Sequence, residues 1–214
     1  TMVEALGLYF EHRPREEEAR SILEAAIEGL MDIEPSGIKQ KVDRSLALIQ
    51  CLLWLASFTS GLATRRRLIQ SAEDHLISAS AMNADTDRSR ALLLLQNAAL
   101  ARQEGSADRA YAFAEEASAL FKLIEEPWWC ARALNIMGEV ISRMRLNFKA
   151  ACGLHQEALD IYRRAQDNYS IGWTLGYLGA DWIHQGDLSR GRRLYQEALD
   201  AFRQVENPSA AMAR

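Results

Sequence analysis

Along the whole chain the apolar positions recur every three to four residues, the period of a helix, and no segment alternates with the two-residue period of a strand. From Trp173 to Gln185 the stripe falls on 175, 178, 182 and 183, and Gly186-Asp187 ends it. A partner helix runs from about Leu188 to Gln204, with Leu188, Leu194, Tyr195, Ala198, Leu199 and Phe202 on one face. Earlier, 38–59 is a strongly apolar helix (LALIQCLLWLASF), Gly61 lies in the turn, and 64–82 follows with Leu68, Ile69, Ala72 and Leu76. An amphipathic helix over 15–32 and a short first helix over 2–12, carrying Leu6-Gly7, precede them. Prolines 14, 35, 127 and 208 all fall at helix boundaries, where a missing N–H does least harm.

The helices repeat. YQEALDAF at 195–202 matches HQEALDIY at 155–162 at an offset of 40, and AEEASALF at 114–121 is the same element 81 residues before 195. Leu178-Gly179, Met137-Gly138 and Asn97-Ala98 share one position of the unit, and Gly186 matches Gly105. Between the last two units SRMRLNFKAA replaces IHQGDLSRG with one extra residue, a slip that a loop tolerates. The unit is a helix pair of about 40 residues, and the pairs divide the chain at 1–35, 36–86, 87–126, 127–167 and 168–207. NPSAAMAR at the end aligns with the start of the two previous first helices, so 208–214 is expected to open a further, truncated unit. An uncapped end exposes an apolar face, which predicts a longer native protein or end-to-end contact between chains.

Small residues mark the helix crossings: Gly179, Gly138 and Ala98 on the first helix of each pair, Ala198, Ala158 and Ala117 on the second. Glycine inside a helix costs about 1 kcal/mol relative to alanine, so its recurrence at one position implies close packing.

Composition narrows the functional classes. The chain of 214 residues is 49% hydrophobic and 25% charged, the balance of a globular protein, with too few Gly and Pro (12 and 4) for a linker-like or all-β chain. A net charge of −4 gives no electrostatic reason to bind nucleic acid or an anionic membrane, and no apolar run is long enough to span a bilayer. Cys51, Cys130 and Cys152 are far apart and form no CxxC pair, which fits a reduced, cytoplasmic protein.

The segment LGADWIHQGDLSRGRRLYQEALDAFRQ resembles a tetratricopeptide repeat (TPR) through Leu178-Gly179, Trp182, Gly186-Asp187, Tyr195 and Ala198, with Gly191 in place of the usual first alanine of the second helix. The resemblance, carried by 88–214, implies an all-α fold: a right-handed α-solenoid of about five antiparallel helix pairs. The longer unit, with QEAL-D-x-[FY]-R after the glycine, is similar to the repeats of bacterial STAND-class signal-transduction ATPases and of LuxR-like and maltose-activator-type transcription regulators. In those proteins the array follows a nucleotide switch and senses an effector or a partner. This chain shows no GxxxxGK[ST] loop and no recognisable helix-turn-helix, so neither activity is assigned to it.

Catalytic signatures are missing as well. There is no G-x-S-x-G, no H-E-x-x-H and no glycine-rich phosphate loop. His12, His75, His155 and His184 lie in four different helices and read as surface or groove residues, and Asp181 with His184 makes only two possible metal ligands. Glu16-Glu17-Glu18 and Glu115-Glu116 read as solvated helix faces, Arg65-Arg66-Arg67 as a surface patch, and the cysteines as packed core residues. No enzyme activity, metal or cofactor is expected.

Recognition is expected instead on the concave face formed by the first helices. By the resemblance its residues are Gln96, Arg102 and Gln103 in one unit, Arg132, Asn135, Glu139 and Arg143 in the next, and Trp173, Tyr177 and His184 in the last. The arginines can hold carboxylates, Asn135 and Gln96 can pair with a peptide backbone, and Trp173 and Tyr177 can anchor an apolar group or simply pack between repeats. Arg132 and Arg143 can equally pair with Glu139 at helical spacing. The expected function is a non-catalytic module binding a protein, a peptide or a small effector, the sensor region of a larger bacterial regulator. Competing readings are a scaffold that self-associates through its solenoid ends and an RNA-binding helical repeat, against which the acidic balance argues. The proposed register predicts that Gly179→Leu or Ala198→Leu overpacks a crossing and costs about 1–3 kcal/mol. Unchanged melting of both variants, with a helical circular-dichroism spectrum, would disprove it.

Overall fold

Six residues with positive φ punctuate the chain at intervals of about twenty: Asn83, Gly105, Glu125, Leu146, Gln166 and Gly186. Each ends a helix, and the next helix begins within a few residues. The structure is a computed structural model and describes residues 16–206 together with Val3, Ala5 and Gly7. Among these there is no strand, and the chain divides into two compact units, 1–104 and 105–214.

The first unit holds α1 (Glu16–Asp32), α2 (Ile38–Ser57), α3 (Leu62–Ala81) and α4 (Asp87–Gln103). Val3, Ala5 and Gly7 are helical, while the rest of the first helix expected over 2–12 lies outside the described residues. The second unit holds α5 (Ala107–Leu123), α6 (Pro127–Arg145), α7 (Phe148–Ala165), α8 (Asn168–His184) and α9 (Leu188–Glu206). The boundaries agree with the periodicity to within about two residues, except that α8 begins at Asn168, five residues before the apolar stripe starting at Trp173. Short turns joining helices that pack on each other make α2–α3, α6–α7 and α8–α9 antiparallel pairs. The second helix of one pair also packs on the first helix of the next, as α7 does on α8. The expected further unit at 208–214 lies outside the described residues.

The turns show why the helices stop where they do. In the second unit a left-handed residue is followed three times by a residue whose side-chain oxygen caps the next helix. After Leu146, Asn147 Oδ1 accepts from the Ala150 N–H at 3.2 Å. After Gln166, Asp167 Oδ1 accepts from Ser170 at 3.1 Å, and after Gly186, Asp187 Oδ1 accepts from Arg190 at 2.9 Å. One carboxylate or carboxamide thus satisfies an N–H that the helix itself leaves unpaired.

In the first unit α2 is buried on nearly every side, from Leu48 through Ala56, because α1, α3 and α4 all pack against it. The Arg65-Arg66-Arg67 run is not simply a surface patch. Arg65 is buried and donates to Gln103 Oε1 at 2.8 Å, and Arg66 pairs with Glu104, so two of the three arginines tie α3 to the end of α4.

In the second unit α8 and α9 cross closely at Gly179 against Gly191. A Cβ on Gly179 would lie 3.2 Å from the Gly191 carbonyl oxygen, and one on Gly191 would lie 2.9 Å from that of Gly179. Ala198, named in the sequence as a crossing residue, sits further along α9 in the core with Leu159, Leu175 and Leu178. The apolar residues of α9 therefore divide between two directions. Gly191, Leu194, Ala198 and Ala201 turn inward, whereas Leu188, Tyr195 and Leu199 are exposed.

Leu146 holds the left-handed position that glycine occupies at 105 and 186, and its side chain is exposed. A side chain in that region costs roughly 1–2 kcal/mol, part of which glycine gives back as unfolded-state entropy. Leu146→Gly is accordingly expected to stabilise the protein by about 0.5–1 kcal/mol and Gly186→Leu to destabilise it by about 1 kcal/mol or more, as measured by urea unfolding.

Candidate functional site

The first helices of the second unit, α6 and α8, lie side by side and are joined by hydrogen bonds between residues 39 apart. Asn135 Nδ2 donates to Thr174 Oγ1 at 2.8 Å, and the Ser142 hydroxyl donates to Asp181 Oδ1. At the head of α6, Trp128 Nε1 donates to Asp167 Oδ2 at 2.8 Å, on the same carboxylate that caps α8. Near-equality of this spacing to the repeat length follows from equivalent helices standing next to each other.

The structure brings seven of the expected recognition residues onto this pair of helices. Arg132 lies over the rings of Trp128 and Trp129, 5.4 and 5.5 Å from their centroids, a cation–π arrangement that fixes the guanidinium. Glu139 is buried and its carboxylate meets the exposed Arg143 at 3.0 Å, the pairing that helical spacing permits. Trp173 remains 50% exposed, with Tyr169, Tyr177 and Phe202 around it at centroid distances of 6.4, 6.5 and 5.8 Å. His184 is exposed and stacks on Phe148 at 4.7 Å.

Asn135 is engaged at both ends of its carboxamide: beside the bond to Thr174, its Oδ1 faces His155 Nδ1 at 3.0 Å. It orders the helix pair, with one N–H and one oxygen lone pair committed inside the fold. Gln96 and Arg102 belong to the first unit, on α4. Gln96 Nε2 donates to Ser57 Oγ at 2.6 Å, tying α4 to α2, and Gln103 accepts from Arg65.

What lies under this face has no prominence in the sequence. His155 reads there as a surface or groove residue, yet it is fully buried. Its ring lies against the backbone of Gly138, where an added Cβ would stand 2.5–2.9 Å from Cε1, Nε2 and Nδ1, and Tyr177 stacks on it at 5.1 Å. Asp181, also buried, completes the group: its Oδ2 stands 3.8 Å from His155 Nε2. Burial pushes the imidazole down to about 4 and the Asp181 carboxyl up, the latter opposed by the Ser142 hydrogen bond. Cys152 is raised by burial first and then by the Asp181 charge, which makes its thiol a weak nucleophile. The available signals were two alignments. His155 occupies the position of Tyr195, which packs on Gly179, and Asp181 stands where the previous unit has the buried Val140.

Among the described residues no three His, Cys, Asp or Glu side chains are grouped so as to hold a metal ion, and no helix is long and apolar enough to cross a membrane.

Solved structures of similar fold agree with this architecture. BtubC (BKLC) from P. vanneervenii superposes with a TM-score of 0.57 at 16% identity, over 99% of this chain and 80% of that one. A Rap protein complexed with Competence and Sporulation Factor gives 0.58 at 14% identity, over 99% of this chain and 68% of the other. The nearly identical TPR-like repeats of a Podosopora anserina kinesin light chain give 0.51 at 14% identity, over 96% and 95%. No family model and no curated protein matches the chain. The likeness is one of fold: an all-α, TPR-like solenoid of helix pairs, the class that the repeat implies.

Proposed function

We propose that this chain is a non-catalytic repeat module that binds a protein or peptide partner, or a small effector, on the α6–α8 face of its second unit, and serves as the sensor region of a larger bacterial regulator. The observation that carries the binding reading is Trp173. An indole half in solvent, held by three other aromatic rings, is a rigid apolar anchor with little left to lose in conformational entropy. The Glu139–Arg143 pair on the neighbouring helix adds a charged rim. A fold shared with a Rap protein that holds a partner factor supports the same use, and the repeat resemblance to STAND-class regulators supports the sensor role. Three unpaired thiols fit work in the reducing cytoplasm.

Peptides selected from a randomised display library on the wild-type protein test the site. They are expected to share an apolar side chain and to lose about 2 kcal/mol, roughly thirtyfold in affinity, against Trp173→Ala. Leu123→Ala, at an exposed residue on α5, should bind them unchanged. Equal affinity for wild type and Trp173→Ala would place recognition elsewhere.

A self-associating scaffold is favoured by a different observation, the exposed Leu188, Tyr195 and Leu199 along α9. Sedimentation velocity separates the two readings. A scaffold assembles with rising concentration and Leu199→Glu abolishes the assembly, whereas a sensor module stays the same size in both forms.

A further inference from the structure

The hydrogen-bond network around His155 determines its tautomer. Thr174 Oγ1 has one hydrogen and gives it to the Ser170 carbonyl at 2.8 Å, so toward Asn135 it can only accept. Asn135 must then point its NH2 at Thr174 and its carbonyl oxygen at His155, and the imidazole must answer with Nδ1–H. In a neutral ring this leaves Nε2 as a bare lone pair. It faces Asp181 Oδ2 at 3.8 Å, and both atoms are buried without a hydrogen-bond partner. The other carboxylate oxygen is already taken by the Ser142 hydroxyl. Two acceptors facing each other inside the fold forfeit the solvation of both, and one proton between them satisfies both once the 3.8 Å gap closes to hydrogen-bond length.

We propose that His155 and Asp181 hold a single proton between them, forming a pH-sensitive contact that joins α6, α7 and α8. The burial that favours neutral imidazole and neutral carboxyl puts this proton on Asp181 Oδ2, donating to Nε2. Few other charges act on the pair. From α6 it is faced by the Ser142 hydroxyl and the Asn135 carboxamide, while Glu139 is paired with Arg143. On α7 Cys152 is the neighbouring titratable group, and on α8 Tyr177 stacks on the imidazole and His184 acts on Asp181 from a distance. Arg190, at the start of α9, acts on Cys152 and lies over the Trp182 ring.

The sign of the pH dependence follows. Between the ordinary aspartate and histidine values of about 3.9 and 6.5 the unfolded chain also carries one proton, on the imidazole, so stability is flat there. Above about 6.5 the unfolded chain loses it while the folded pair keeps it. Stability from the pair is thus fully present below the unfolded histidine value and is lost as pH rises toward the pair's own upper value, by ~tenfold in the folding constant per pH unit. The two groups titrate as one unit. This inference is independent of the partner-binding reading.

Urea unfolding of the intact chain between pH 6 and 9 tests it, with Asp181→Asn as the comparison, because an amide at 181 can donate to Nε2 at every pH. The expected result is a wild-type folding constant that falls by up to ~tenfold per pH unit more steeply than that of the variant above about pH 6.5. Should Asp181→Asn not fold, 15N NMR of the wild-type imidazole decides. A His155 fixed as Nδ1–H, with an Nε2 shift that moves only when the pair deprotonates above pH 6.5, supports the proposal. Equal slopes overturn it, as they would if a water molecule donated to both atoms and left Asp181 ionised. A His155 that exchanges between tautomers, or that titrates to the imidazolium near pH 6.5, overturns it as well.

Discussion

The α6–α7–α8 contact rests on the close approach of a helix backbone to a buried imidazole, and much of the second unit follows from it. His155 takes the place that Tyr195 holds one unit later, against a glycine of the facing helix in both cases. The tyrosine remains exposed. The imidazole lies inside, with two ring nitrogens that require partners. Nδ1 is met by Asn135, which in turn needs Thr174, and Nε2 faces Asp181, whose other oxygen needs Ser142. A single polar side chain at a core position of the repeat thus obliges four others, spread over the two flanking helices, to be polar too. Buried networks of this kind stabilise only when every member is satisfied.

The repeat was legible because its punctuation is chemical as well as periodic. Gly186-Asp187 ends one helix with a left-handed residue and caps the next with a carboxylate, and the same pair of roles is filled by Leu146-Asn147 and Gln166-Asp167. Only the glycine version announces itself in sequence. The helix boundaries could still be placed at the other two turns because the apolar stripe breaks there. Glycines at helix crossings were legible for a related reason: glycine is costly in a helix unless something needs the space. What needs the space differs from site to site, the Gly191 backbone beside Gly179 and the His155 ring against Gly138.

The polar interior was less legible. On a helical wheel His155, Asp181 and Arg65 look like residues at the margin of an apolar stripe, and a histidine or arginine at a margin is ordinarily solvated. Burial of all three is decided by neighbouring helices, which a single-helix pattern does not contain. The same limit explains the candidate site. The repeat resemblance placed Arg132, Asn135, Glu139, Arg143, Trp173 and Tyr177 on two adjacent helices, but not which of them the fold would use for itself. Asn135 is engaged on both sides, Glu139 is buried against Arg143, and Arg132 lies over two indoles.

What the fold leaves on that face is Trp173, and its support reaches back to the buried network. Trp173 leans on Tyr177, Tyr177 stacks on His155, and His155 meets both Asn135 and Asp181, so an exposed indole and a buried carboxyl are three contacts apart. Tyr177 covers one side of the imidazole, and Gly138 leaves that ring little room on the other. Anything that pulls on the aromatic cluster therefore acts on the same α6–α8 contact that the proton holds. By thermodynamic reciprocity, an arrangement of Tyr177 changes the proton affinity of the pair below it only insofar as it moves His155. In the second unit an exposed aromatic cluster and an interior ionisable group thus share one helix contact.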